Sequence, residues 1–291
     1  MKLLTNQECT RLVQEDGYEG MLKQIEKAAR VCYQSDSLIK DGSAEKILKH
    51  LIDNKHYAML EHGTVYMKIP NKDWANGIRD IFVNNVDVVK YIKYDLYKDE
   101  DYEYVYLTTN YRVIFENKLE HLMNKYMSPE VKGKHIPRVT YKLLTNIQVA
   151  TEYIRHRVFS FAMESTRYCS YDKEKFGDEI TFLIPCWLLG EDTPENKRAF
   201  IEWSNAMQDA ENHYMRTRQM GWVAQECAQF LPKATKTVLV MTGFRDDWDH
   251  FIDLRYWGTT GKPHPQAQEL ATLVYNDLNI FDEEHDYKHN K

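Results

Sequence analysis

The chain has 291 residues, of which 43% are hydrophobic and 13% aromatic, enough to bury a sizeable core. Its formal net charge of -6 argues against non-specific nucleic-acid binding, which depends on a positive surface. No apolar run approaches the roughly 20 residues that cross a bilayer, and the N-terminus lacks the apolar core of a signal peptide. The sequence therefore predicts a soluble, cytoplasmic protein without nucleic-acid or membrane partners.

The five cysteines are widely spaced and include no C-x-x-C pair. An odd number of dispersed cysteines is typical of reduced thiols rather than of a disulfide framework or a zinc site. His56 and His62 lie six residues apart, whereas a helical zinc site needs histidines one turn apart. We therefore expect no metal site.

The first half of the chain contains an unusual segment. Apolar spacing predicts a helix over residues 43–54, and alternation predicts a strand over residues 64–69. Between residues 70 and 138, tyrosines and charged residues crowd together within proline borders. We interpret residues 70–138 as an accessory insertion with its own helices, one over residues 113–126, inside a single domain that spans residues 1–291.

The second half alternates helix and strand signals without an apparent internal repeat. Thr193 followed by Pro194 is a strong helix start, because the first residue caps the helix and the second fits its first turn. The mixture predicts an α+β fold, in which long helices pack on a small, mainly antiparallel sheet. The predicted elements are helices over residues 146–161, 193–219, 246–255 and 266–280, a strand over 235–242 and a loop over 258–265.

Arg155-His156-Arg157 begins the densest group of candidate functional residues, which continues to Tyr168. Arginine binds phosphate through a planar fork, and neighbouring helical positions point about 100° apart, so the two arginines could serve two anionic ligands. A solvated basic patch is the alternative, and spacing alone favours it. Aromatic residues interleaved with arginine also leave open an RNA-stacking module over residues 155–168. Taken alone, Arg255 after His250 is typical of a helix-dipole partner.

Several ordered motifs resemble the flavin-dependent thymidylate synthase family. Arg155-His156-Arg157 is followed after seven residues by Ser165-Thr166-Arg167-Tyr168, the R-H-R and S-x-R-Y pattern of that family. The resemblance covers about residues 25–69 and 139–280 and leaves the middle segment uncovered. Further matching blocks are Ala28 to Val31, Leu60 to His62, Leu231-Pro232, Ala234-Thr235, Thr242-Gly243 and His250 to Arg255.

The resemblance implies the reductive methylation of dUMP to dTMP. The methylene group would come from methylenetetrahydrofolate and the hydride from FAD that NADPH has reduced. It also implies a homotetramer of α+β subunits, with FAD and dUMP bound where subunits meet. The protein would then supply position and electrostatic field, while the cofactor carries the redox chemistry.

The same resemblance assigns roles to residues of this chain. Arg255 falls where the family places the arginine that ionises the uracil N3; because arginine stays protonated, it would stabilise charge on the ring rather than act as a base. Ser165 has no sequence-adjacent base, so substrate binding is favoured over nucleophilic attack. The implied FAD residues are Thr64, Arg155, His156, Arg157 and His250, and the implied dUMP residues are Glu152, Arg155, Glu164, Ser165, Thr166 and Arg167.

The chain departs from the family pattern at several positions. Glu152 stands where Gln is usual, Ala228 where an arginine commonly binds substrate, and residues 244–246 match the flavin-contacting stretch poorly. Arg112 is a candidate replacement for the missing arginine. Two rival functions stay open: a folate methyltransferase with Cys186 as nucleophile, although Trp187 replaces the expected His, and the RNA-binding module.

Overall fold

A four-stranded antiparallel sheet forms the centre of the structure, a computed structural model that describes residues 1–85, 88–98, 103–167, 170–172 and 177–287. Strand β9 is buried over nearly its whole length, which explains its run of β-branched and apolar side chains. In spatial order the strands are β2 (Glu8–Arg11), β6 (Arg138–Asn146), β9 (Lys236–Phe244) and β7 (Ser160–Met163).

Two smaller sheets accompany the central one. Strands β3 (Thr64–Pro70), β5 (Glu103–Asn110) and β4 (Lys93–Lys98) form an antiparallel sheet in that order. Strands β1 (Lys2–Leu4) and β8 (Thr181–Leu183) form a parallel pair. Helices thus combine with mainly antiparallel sheets, and the predicted α+β class is confirmed.

The longest helices begin close to where the sequence predicts. The hydroxyl group of Thr193 accepts a hydrogen bond from the Asn196 amide at 3.2 Å and caps the helix that Pro194 opens. Among the described residues, no helix combines the length and the apolar character needed to cross a membrane. The α-helices are α1 (Gly17–Cys32), α2 (Ser43–Asp53), α3 (Asn71–Asp73), α4 (Arg79–Val83), α5 (Tyr111–Glu116), α6 (Glu120–Tyr126), α7 (Ile147–Tyr153), α8 (Pro194–Gln219), α9 (Ala224–Cys227), α10 (Arg245–Ile252) and α11 (Pro265–His285).

The prediction of a helix over residues 146–161 is wrong in its second half. Helix α7 ends at Tyr153, the chain turns through residues 154–159, and Ser160 begins strand β7. Phe161 lies opposite Met241 of strand β9, and this sheet pairing overrides the helical spacing. The Arg-His-Arg motif therefore lies on a turn, and the 100° spacing expected from a helix does not apply to it.

Two other predicted elements also differ. The helix over residues 113–126 is two helices, because Lys118 adopts a left-handed conformation with φ of 57°. Helix α10 ends at Ile252, and a π-helical turn, Asp253–Trp257, carries Arg255. Cys186 lies in a half-buried 3-10 turn.

The segment 70–138 shares its core with the preceding helices. Strand β3, which lies just before residue 70, pairs with strand β5 inside the segment. One buried cluster joins Met21 and Ile25 of helix α1 to Phe82, Leu107 and Ile114 of the segment. The limits 70–138 and the single domain over residues 1–291 stay predictions.

A second buried cluster supports the candidate site. Strands β6 and β9 contribute Tyr141 and Met241, and helices α7, α10 and α11 pack on them. The rings of Tyr153 and Phe251 meet edge to face at 4.8 Å, which joins helix α7 to helix α10. The ends of these two helices are thereby held beside each other.

A short strand–helix unit occurs twice, which the sequence analysis missed. Strand β5 with helix α5, and strand β6 with helix α7, share the pattern T-N-x-x-V-x-x-E at residues 109–116 and 145–152. In both, the Asn side chain caps the helix, by accepting from the Val113 amide at 3.1 Å and from the Val149 amide at 2.9 Å. The last residue of each pattern, Glu116 or Glu152, accepts a hydrogen bond from the side chain four residues earlier.

Gly243 of strand β9 is needed because Phe159 occupies the space of its missing side chain. A Cβ atom at residue 243 would lie 2.4 Å from the Phe159 ring, which packs 4.5 Å from the Trp248 ring. We expect Gly243→Ala to lower the free energy of unfolding by about 1–3 kcal/mol through overpacking. Gly190→Ala is the control, since its nearest neighbours would lie 3.9 Å or more away; equal urea-unfolding midpoints for the two variants would contradict the prediction.

Candidate active site

A cleft of about 600 Å³ opens between the end of helix α7, the turn that follows it, the π-helical turn and the loop before helix α11. These elements are distant in sequence and meet because helices α7, α10 and α11 pack on the same sheet. The cleft brings together six of the predicted site residues. They are Glu152, Arg155, His156, Arg157, His250 and Arg255.

Arg255 is held in this cleft by three hydrogen bonds. Its Nε donates to His156 Nε2 at 2.9 Å, its Nη1 to Glu152 Oε2 at 3.2 Å, and its Nη2 to the Glu152 carbonyl at 2.9 Å. Each guanidinium nitrogen thus has a partner, and the orientation of the group is fixed by the chain itself. A cation fixed in this way can stabilise developing negative charge with little reorganisation.

His156 is neutral in this arrangement. Its Nε2 accepts from Arg255, so the ring proton resides on Nδ1. Burial is the main reason that the pKa of His156 is lowered to about 4, and the charges of Arg255 and His250 contribute. The ring remains an acceptor for Arg255 at neutral pH.

The cleft has an excess of positive charge. Arg155 and Arg157 are exposed, and neither forms an ion pair or side-chain hydrogen bond within the part of the chain that the structure describes. Lys262 and Arg255 add two more cations, against the single carboxylate of Glu152. Such a cleft favours an anionic ligand, and the two unengaged guanidinium groups suit phosphate oxygens.

The remaining dUMP candidates lie beyond the other end of strand β7. Glu164 is buried and accepts hydrogen bonds from Gln34 and, at 2.7 Å, from Lys236. The Ser165 amide donates to the Cys32 carbonyl at 3.1 Å, and the Arg167 amide donates to the Ser165 hydroxyl at 3.3 Å. Neither these three residues nor Thr166 lines the cleft.

Strand β7 therefore divides the motif into two groups. The four residues of β7 span roughly 13 Å at the usual rise of a strand. Tyr168, which ends the motif, lies outside the described residues. Residues 155–167 do not form one continuous stacking surface, and the geometry does not support the hypothesis of an RNA-binding module.

Thr64 also lies away from the cleft. It is buried on strand β3, where its amide donates to Gln14 Oε1 at 2.8 Å and its carbonyl accepts from Gln14 Nε2 at 2.9 Å. It borders a separate cavity of about 390 Å³. Its assignment to FAD stays a prediction.

Other predicted contacts are engaged inside the protein. Arg245 is buried against Asp282 and pairs with Asp249 at 2.7 Å, while Asp246 pairs with Lys93 at 2.6 Å. The charged groups of Arg245 and Asp246 are therefore occupied by partners within this chain, and neither residue lines the cleft. Arg112, the suggested replacement for the arginine missing at Ala228, pairs with two carboxylates, Glu61 at 2.7 Å and Glu116 at 2.9 Å.

Two titratable residues that line the cleft, Lys262 and His264, were not predicted from the sequence. Both lie in the loop that was identified, where a Lys and a His between glycine and prolines were the available signal. His264 precedes helix α11, and its Nδ1 is buried without a hydrogen-bond partner among the described residues.

Cys186 has the properties of an unreactive thiol. Burial raises its pKa, and the charge of Glu269 raises it further. The nucleophilic form of cysteine is the thiolate, which a raised pKa disfavours. The structure does not favour the rival mechanism that uses Cys186. Among the described residues, no group of three or more His, Cys, Asp or Glu side chains is placed to hold a metal ion.

Comparison with known proteins identifies the family. Residues 108–280 match the family described as thymidylate synthase complementing protein, and the chain belongs to that family. This match includes the cleft and both halves of the divided motif. It begins inside the segment that was interpreted as an insertion.

Named relatives agree with this family. The flavin-dependent thymidylate synthase of Pyrococcus furiosus is 30% identical over 138 residues, which are 42% of this chain and 53% of that protein. The probable flavin-dependent thymidylate synthase of Paramecium bursaria Chlorella virus 1 is 29% identical over 146 residues, 47% of this chain and 65% of the relative. The chain thus spans about half the length of the curated relatives it matches.

Among solved structures, this chain is similar to the UMP/dUMP methylase PolB from Streptomyces cacaoi bound with 5-Br dUMP. The TM-score is 0.46 at 15% sequence identity, over 97% of this chain and 93% of the other.

His62 is fully buried at the end of the 3-10 turn that precedes strand β3. Its Nδ1 lies 2.8 Å from the Thr242 hydroxyl, which in turn lies 2.9 Å from the Thr140 hydroxyl. Burial is the main reason that the pKa of His62 is lowered to about 3, and the charge of Arg138 contributes. A histidine that must stay neutral makes folding sensitive to acid.

We therefore expect acid to destabilise the protein through His62. In the unfolded chain the pKa of His62 is about 6.5. As the pH falls below this value, the unfolded chain binds a proton at His62, whereas the folded protein keeps His62 neutral. The contribution of neutral His62 to the free energy of unfolding is complete above about pH 6.5. It falls by about 1.4 kcal/mol per pH unit as the pH decreases toward about 3. In urea unfolding between about pH 6 and 4.5, His62→Asn should show a shallower decline than the unchanged protein. Exposed His121 provides the control His121→Asn, and equal slopes in all three proteins would refute the assignment.

Proposed function

We propose that this protein is an FAD-dependent thymidylate synthase that converts dUMP to dTMP. The observation that carries the proposal is the orientation of Arg255 by neutral His156 and Glu152 inside a cationic cleft. Membership of the thymidylate synthase complementing protein family supports it, as do the names of the relatives. Methylenetetrahydrofolate is the proposed carbon donor and NADPH the proposed reductant.

The residues of the cleft fit a phosphorylated cofactor and a phosphorylated substrate. The guanidinium groups of Arg155 and Arg157, which no other described residue engages, can bind the phosphates of FAD or dUMP through paired hydrogen bonds. When bound, FAD would supply the hydride for reduction of the transferred methylene group. His156 and His250 border the same cleft and are the proposed neighbours of the cofactor.

Arg255 is the proposed catalytic residue. Its guanidinium is fixed and remains charged, so it can bind the uracil ring where negative charge develops. Glu152 partly balances the charge of Arg255. Its other carboxylate oxygen is occupied by Gln148 Nε2 at 3.0 Å, which keeps the carboxylate turned toward Arg255.

A homotetramer would complete the substrate site. In one chain, strand β7 separates the cleft from the group of Glu164, Ser165, Thr166 and Arg167. We propose that a second copy brings its own group against the cleft, so that dUMP contacts both subunits. The reduced cysteines and the absence of a long apolar run support a cytoplasmic location.

The first test is flavin binding. Purified protein incubated with FAD should show the absorbance of bound flavin and quench its fluorescence. Replacing both Arg155 and Arg157 by Ala should raise the Kd for FAD about tenfold or more, because two charge-assisted hydrogen-bonding groups are removed. Arg198→Ala removes an exposed arginine on helix α8 and should leave the Kd unchanged. A protein that is folded but leaves flavin fluorescence unquenched is not the enzyme proposed.

The second test separates Arg255 from Cys186. In flavin-loaded protein, Arg255→Ala should lower the rate of dUMP methylation about 10²–10³-fold, because a preorganised partner of the ring charge is lost. Arg255→Lys should recover little, since an ammonium group cannot replace the planar fork. Cys186→Ala should retain near-normal turnover. An inactive Cys186→Ala beside an active Arg255→Ala would transfer the proposal to a cysteine nucleophile.

A further inference from the structure

The turn that carries Arg155 and Arg157 depends on contacts at its two ends. Among the described residues, neither arginine side chain has an ion pair or a hydrogen bond. The backbone conformation of the turn therefore sets where the two side chains point. At its start, the His156 amide donates to the Tyr153 carbonyl at 3.0 Å. At its end, Ser160 enters strand β7, and its hydroxyl donates to Glu61 Oε2 at 2.7 Å.

Glu61 is the point at which the inserted segment reaches this turn. Its second carboxylate oxygen, Oε1, accepts from Arg112 Nη1 of helix α5 at 2.7 Å, and its carbonyl accepts from Arg138 Nη1 at 2.8 Å. The Glu61 side chain is 16% exposed and the Arg112 side chain 36%, so the ion pair is shielded from solvent mainly on the Glu61 side. Ser160, Glu61 and Arg112 thus form one chain of hydrogen bonds.

Arg138 contacts both Glu61 and Ser160. Its Nη1 already binds the backbone of Glu61, and its Nη2 lies 3.5 Å from the Ser160 hydroxyl. The two oxygens of the Glu61 carboxylate have different partners, Arg112 on Oε1 and Ser160 on Oε2. Without Arg112, Oε1 loses its charged partner, and we expect the carboxylate to rotate away from the position in which it accepts from Ser160.

We propose that Arg112 is a positioning residue, through which the inserted segment fixes the anion-binding turn, residues 155–159, by way of Glu61 and Ser160. The expected effect of Arg112 on FAD binding rests on the proposed function, whereas the coupling between Arg112 and the turn does not. The inserted segment is then part of what shapes the cleft, although Arg112 does not line it.

Hydrogen exchange on the ligand-free protein tests the coupling directly. In Arg112→Ala, the amides of residues 156–160 should exchange about five- to tenfold faster, since a charge-assisted contact no longer holds the turn. Glu116→Ala is the matched control: it removes the other carboxylate bound by Arg112 and leaves the pair with Glu61 intact. Arg112→Lys should restore part of the protection. If the alanine variant does not fold, Arg112→Gln replaces it.

A double-mutant cycle distinguishes positioning from general destabilisation. In a Ser160→Ala background, Arg112→Ala should add little to the exchange of residues 156–160, because the route is already cut. Unchanged exchange in Arg112→Ala, or fully additive effects with Ser160→Ala, would overturn the proposal. The Kd for FAD should rise about fivefold in Arg112→Ala and stay unchanged in Glu116→Ala. If the unaltered protein does not bind FAD, the proposed function fails, and the exchange cycle still decides the coupling.

Discussion

The three hydrogen bonds of Arg255 are the constraint on which the site depends. They require helix α7 to end where Glu152 and its carbonyl face the π-helical turn, and they require the next residues to leave the helix so that His156 turns inward. The aromatic contact between Tyr153 and Phe251 sets that approach. Burial contributes a second condition, because a protonated His156 could not accept from Arg255. Packing and protonation are therefore coupled at His156.

Local signals in the sequence were sufficient for much of the fold. The cap at Thr193 and the alternation before residue 70 each depend on a few neighbouring residues, and the structure agrees with both. The turn at residues 154–159 could not be predicted from its neighbouring residues. Apolar spacing continues through it, and only the partner strand β9, about 80 residues later, determines that Phe161 belongs to a sheet.

The site shows the same division. The family resemblance assigned Glu152, Arg155, His156, Arg157, His250 and Arg255 to FAD, to dUMP or to catalysis, and the structure brings them into one cleft. The motif gave no sign that four residues of strand β7 would separate Arg157 from Glu164, because sequence proximity says nothing of the distance between the two ends of a strand. Glu61 lies in a block that matches the family but received no role from the sequence, and its link to Ser160 joins positions 99 residues apart.

The π-helical turn at Asp253–Trp257 has a consequence for how this site can vary. Such a turn is a helix that has accommodated one extra residue, and it is often found where function requires a side chain that a regular helix would misdirect. Removal of a single residue would let the backbone return to a regular helix, with each later side chain rotated by about 100°. The direction in which the Arg255 guanidinium points thus depends on the number of residues in this turn as well as on their identity. Insertions and deletions in this short stretch are less tolerable than most substitutions.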